Sequence, residues 1–206
     1  MLSSAVRHSA RRLTTMAENA VEKYPGGVQA MHWLSGGSML SCVGLMLHVQ
    51  SLPSWKKCNP EEKASKMNSM FLHKSFGTLA CALLIPRLAV RLASKIPPPP
   101  EGHFVEQMAG KASHLAMYGF AIAMPVTGVT MGYMGGKGLP FFTTTFKPAS
   151  GEIGKAKDGK LAGKAYKLHK QLGWYFKWFV PVHVGAVGVH AVKGQNLLAR
   201  ITPFFK

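Results

Sequence analysis

The sequence predicts an all-α integral membrane protein, a four-helix bundle running up, down, up and down. Three observations predict it. Of the 206 residues 47% are hydrophobic, yet the charged ones crowd into residues 1 to 23, 53 to 67, 91 to 111 and 135 to 170. The four windows left nearly free of charge each exceed the roughly 20 residues a helix needs to cross the hydrocarbon core. None of them carries the charged stripe of a water-facing helix, although mean hydropathy is only +0.08.

In chain order, residues 1 to 23 come first, as a presequence or amphipathic extension. "MLSSAVRHSARRLTTMAENA" has no acidic residue before Glu18. As a helix it would put Arg7, His8, Arg11 and Arg12 on one side and Leu2, Val6, Ala10 and Leu13 on the other. That is the pattern of a mitochondrial presequence. Residues 24 to 206 then form the membrane domain. Its first helix is expected over 28–50 and its second over 70–93, joined by a loop holding both signs of charge. "KIPPPPEGHF" (95 to 104) reads as a stiff polyproline II linker, because successive prolines fix φ and supply no N–H. The third helix is expected over 111–134. Residues 135 to 167, rich in lysine and glycine, read as an aqueous loop, and the fourth helix follows over 168–192. Pro86, Pro125 and Pro181 fall inside apolar windows, where membrane helices accept proline as a kink.

The net charge of +17 invites a nucleic-acid reading. The lysines are spread through loops at both ends of the bundle, however, with no aromatic-interleaved basic stripe. Anionic lipid headgroups or an acidic protein partner fit better, and no nucleic acid is expected. Lys and Arg divide almost evenly between the two sides, so the positive-inside rule gives no orientation. Cys42, Cys58 and Cys81 form no C-x-x-C or C-x-x-C-H motif, which argues against iron–sulfur clusters and covalently attached haem. No phosphate loop, nucleophile elbow or acidic metal cluster occurs. Histidine is the chemistry that remains.

A step of 14 residues along a helix returns to within about 40° of the start and a step of 7 to within about 20°. His169, His183 and His190 therefore share one face, as do His73, Arg87 and Arg91. Such a face in a membrane helix is aimed at something polar or metallic. "HWLSG", "HKSFG" and "HKQLG" each place glycine, at Gly36, Gly77 and Gly173, one turn after a histidine, leaving room for a bulky planar ligand. Up-down topology starts the helices of His73 and His169 at one membrane face, where those two can meet. His183, roughly 21 Å further along its helix, returns to the level of His32 and His114. Two stacked bis-histidine sites follow, with either His32 or His114 as partner of His183. Iron held by paired imidazoles keeps no open position, which favours electron transfer over oxygen chemistry.

These residues resemble a known family. "YPGGVQAMHW", "LHKSFG", "SHLAMYGFAIAMPVTG", "LHKQLGWYF", "PVHVGAVGVHAV" and "GQNLLARITP" make the chain, over roughly residues 24 to 203, similar to bacterial-type cytochrome b561. That family of di-haem b four-helix membrane cytochromes is related to hydrogenase cytochrome b subunits. The resemblance implies two haem b groups, one on His32 and His183 and the other on His73 and His169. It implies that His114 and His190 are not axial ligands but lie near the termini-side haem, where a quinone such as ubiquinone would exchange electrons. Arg87 and Arg91 would face the propionates of that haem. With the presequence, the expectation is a multi-pass electron carrier of the mitochondrial inner membrane, in contact with lipids, quinone and subunits of a respiratory complex. The alternatives are a haem-bearing accessory subunit of such a complex without turnover of its own, and a haem-free transporter using the histidines as relays.

Overall fold

The computed structural model describes residues 22–146 and 156–202. The presequence reading of residues 1 to 23 thus lies almost wholly outside the described residues. Four long helices carry the fold: α1 (Gly26–Ser51), α2 (Pro60–Ala93), α3 (Phe104–Met134) and α4 (Ala156–Val192). A two-stranded hairpin, β1 (Leu139–Phe141) and β2 (Thr144–Phe146), precedes α4, and the short α5 (Leu197–Ile201) follows it.

Each long helix begins earlier than its apolar window. For α2 the cause is the sequence N-P-E-E. The Asn59 side chain accepts from the Glu62 backbone N–H at 2.8 Å, the Asn59 N–H donates to the Glu62 carboxylate at 2.9 Å, and Pro60 opens the helix. This capping box starts the helix in water, with Glu61 and Glu62 against the positive end of its dipole. The C-terminus of α1 lies at Ser51, two residues before Pro53, since the position preceding a proline disfavours helical backbone.

The expected aqueous loop over 135–167 is corrected in two places. Residues 156 to 167 are the first three turns of α4, because Lys, Ala and Leu are good helix formers that outweigh Gly159 and Gly163. Residues 139 to 146 fold back as an antiparallel hairpin with Leu139 opposite Phe146 and Phe141 opposite Thr144. Gly136 and Gly138, with φ of 69° and 72°, turn the chain into it. At its tip Phe142 (φ 50°) donates its backbone N–H to the hydroxyl of fully buried Ser75 at 3.0 Å.

α1 packs along α2, and α3 along α4, while a narrower α2–α3 contact joins the halves. The interior between them is unusual for a bundle. Among the described residues the buried apolar side chains are Cys58, Ala80, Ala165, Phe176 and Ala199 together with the prolines Pro97, Pro125 and Pro140, no more numerous than the buried polar ones. Large apolar side chains such as Ile85, Leu92, Leu115 and Val192 point outward instead, as lipid solvation permits. Among the described helices α1, α2 and α3 are long and apolar enough to cross a membrane. α4, expected as the fourth span, carries Lys170, Lys177, His183 and His190 within its apolar half, which lowers its hydropathy.

The termini side is closed by the C-terminal segment. The Tyr24 N–H donates to the Arg200 carbonyl at 2.9 Å, and Trp33 Nε1 donates to the Ile201 carbonyl at 2.9 Å. The Arg200 guanidinium donates to the carbonyls of Glu22 (3.0 Å) and Pro98 (2.6 Å), so one residue ties α5 to the segment leading into α1 and to the polyproline linker.

Candidate functional site

The helices bring histidines together at two levels. At the loop side, His73 of α2 and His169 of α4 face each other with ring centroids 6.2 Å apart. Both rings are held from behind. His73 Nδ1 lies 3.0 Å from the Cys42 carbonyl of α1 and His169 Nδ1 lies 3.1 Å from the Met124 carbonyl of α3. The Thr127 hydroxyl, which donates to the Ala123 carbonyl, lies 3.0 Å from the same His169 nitrogen. An imidazole that donates Nδ1–H to a carbonyl presents a bare Nε2, the arrangement that orients a histidine for metal ligation.

Both rings line a cavity of about 530 Å³, within the size range of cofactor pockets. Its lining includes Gly77, Gly173 and Gly128 together with Lys74, Lys170 and Lys177. A Cβ added at Gly77 would meet nothing within 4 Å, so the space beside it is the cavity itself. One added at Gly128 would come within 3.3 Å of the His169 ring. Gly128 therefore seats the imidazole, a role invisible in the H-x-x-x-G spacing because it sits on a different helix.

At the termini side His183 faces two rings, His32 at 6.5 Å and His114 at 6.0 Å. The distances alone do not choose between them. Arg87 lies here too, near both His32 and His183. Its Nη1 donates to the Met31 carbonyl at 2.9 Å, and its guanidinium lies 5.8 Å from the centre of the Tyr118 ring. Arg91, one turn further along α2, lies near His114. Arg87 Nε and Arg91 Nη1 are buried without a hydrogen-bond partner, and so is the Ser35 hydroxyl. Gly36, one turn from His32, has open space where a Cβ would be. His190 has a partner of its own: its Nδ1 lies 2.6 Å from Gln195 Oε1, and no described ring contact joins it to His183 or His114.

The residues fit a flat metallocofactor. Two collinear metal–imidazole bonds of about 2 Å each put ring centroids roughly 6 Å apart, which is the separation found at both levels. Among the described residues no group of three or more His, Cys, Asp or Glu is arranged to hold a bare metal ion. The orphaned guanidinium donors of the termini side suit an anion.

Comparison with known proteins bears on the same residues. A family model described as prokaryotic cytochrome b561 matches residues 23–204. Cytochrome b561 homolog 2 of Escherichia coli (strain K12) is 30% identical over 160 residues, which cover 76% of this chain and 78% of that protein.

Proposed function

The chain belongs to the prokaryotic cytochrome b561 family, and from that premise we propose that it holds two b haems on four histidines and passes electrons between them and a quinone. Family membership makes it a multi-pass membrane protein carrying haem b for electron transfer. In our reading His32 and His183 ligate the termini-side haem, and His73 and His169 the loop-side haem. Gly36, Gly77 and Gly173 leave room for the macrocycles, and Arg87 and Arg91 receive the carboxylates of the termini-side group. When bound, haem supplies a one-electron couple. The four histidines would hold the two groups, and the residues around them would keep water out and set the electrostatics.

The observation that carries this reading is the loop-side pair. Two imidazoles from different helices, each with Nδ1 within hydrogen-bond distance of a carbonyl of a third or fourth helix, line one cavity. We place the quinone beside His114 and His190, where the bundle end is polar and closed by α5. α4 serves as the fourth span, its imidazoles facing inward. The arginine-rich stretch 7 to 12 supports delivery to the mitochondrial inner membrane, and the net charge of +17 supports docking to acidic subunits of a respiratory complex.

The test is the spectrum and haem content of chain purified after haem-replete expression. We expect two haems per chain and a sharp reduced α-band, with added quinol reducing the protein. A colourless preparation, or a haem content that stays at two when both His73 and His169 are replaced, overturns the assignment.

A further inference from the structure

Resting on the two-haem reading, we propose that the Ser35 hydroxyl completes, with Arg87 Nε and Arg91 Nη1, a three-donor grip on a carboxylate at the His32–His183 end. These three are the buried side-chain polar atoms without a partner among the described residues. They are not scattered. Arg87 and Arg91 are one turn apart on α2, and Arg87 donates to the Met31 carbonyl, four residues before Ser35 on α1.

That last bond explains why Ser35 is orphaned. Buried serine and threonine hydroxyls in helices ordinarily return to the carbonyl four residues back. Ser38 does so to Leu34, Ser75 to Phe71, Thr78 to Lys74 and Thr130 to Val126. The corresponding carbonyl for Ser35 is that of Met31, which Arg87 already occupies. Ser35 is left 6% exposed with a hydroxyl proton and nothing to give it to. One serine and two guanidinium donors, all desolvated, with no acidic side chain bonded to them, match a carboxylate. The haem carboxylates reach this end in the reading above. A free carboxylate would present the same chemistry. Ser35 is then a positioning residue: it fixes where the carboxylate sits and leaves the iron ligands untouched.

The experiment uses the full haem-loaded chain in detergent and follows transfer of haem to an excess of a haem-scavenging apoprotein by the decay of the α-band. Ser35→Ala should speed loss of half the bound haem about tenfold, the weight of a hydrogen bond to a charged group. Ser35→Thr, which keeps the hydroxyl, should stay close to the unmodified rate. Ser38→Ala, whose hydroxyl is already back-bonded, should change nothing. With the dimethyl ester of haem, Ser35→Ala and the unmodified chain should be indistinguishable. The proposal is overturned if Ser35→Ala retains haem as the unmodified chain does, or speeds loss of free-acid and esterified haem alike. Retention that depends on added acetate but not on esterification overturns it in favour of a free anion. A chain that takes up no haem instead removes the two-haem reading on which the proposal rests.

Discussion

The two ends of the bundle hold histidine pairs of nearly equal separation but surround them differently. At the loop end both rings are locked by carbonyls from α1 and α3, and the cavity is lined by Lys74, Lys170 and Lys177. At the termini end no described hydrogen bond fixes the rings of His32 or His183, and arginines with unspent donors stand beside them. Lysine is a flexible point charge that can follow water, whereas arginine offers a planar fork suited to a fixed, dry carboxylate. The same side chain is thus placed in a rigid seat at one end and beside buried guanidinium groups at the other. On the two-haem reading proposed above, the two groups would differ in reduction potential, with the arginine end favouring the reduced form.

The largest effect expected from breaking this contrast is loss of a ligand. His169→Ala should halve the haem content and leave one intact spectrum, while His183→Ala should do the same for the other component. His114→Ala should keep both haems, which checks the choice of His32 as the partner of His183. Haem content by pyridine haemochrome decides all three.

Next in size is the charge at the termini end. Arg87→Met removes a cation near His32 and His183 and frees the Met31 carbonyl. We expect the potential of one haem to fall by roughly 60 mV, about 1.4 kcal/mol for a one-electron couple, and the other to stay. A redox titration in which both components move together would erase the distinction between the ends.

A smaller change sharpens the loop end. Thr127→Val removes a hydroxyl near His169 Nδ1 but leaves the Met124 carbonyl in place. Affinity for haem at this end should drop about tenfold, the low end for loss of a group supporting a metal ligand, with the termini end unaffected.

The smallest is a control that touches neither histidine pair. Asn59→Ala removes the α2 cap and should cost about 1 kcal/mol in thermal stability, with spectra and potentials unchanged.

Much of this was legible in the sequence, and what was not shares a cause. The scarcity of charge marked the apolar parts of the helices, and the spacing of 14 and 7 residues in α4 placed His169 and His183 on one face. The signals for helix extents were present in N-P-E-E and in the lysine–alanine stretch of 156 to 167, but charge hid them from a search for apolar windows. The hairpin was not legible, since Phe142 adopts a positive φ that its residue type disfavours and that a contact to Ser75 holds. Nor were the carbonyls of Cys42 and Met124, because backbone groups leave no trace in residue identity. Gly128 and Ser35 matter through neighbours on other helices, Gly128 through the ring of His169 and Ser35 through a guanidinium that takes its acceptor. His190 shares the His183 face by spacing, yet it bonds the tail, which periodicity within one helix cannot reveal.

The brace formed by Arg200 has a consequence for the order of biosynthesis. It links residues 22 and 98 to the Arg200 side chain, and residue 24 to the Arg200 carbonyl. The stretches at 22 to 24 and at 98 therefore stay unfastened on this side until synthesis has reached α5. A change at Arg200 would be felt in two distant pieces of backbone at once, whereas one at the loop end would leave both alone.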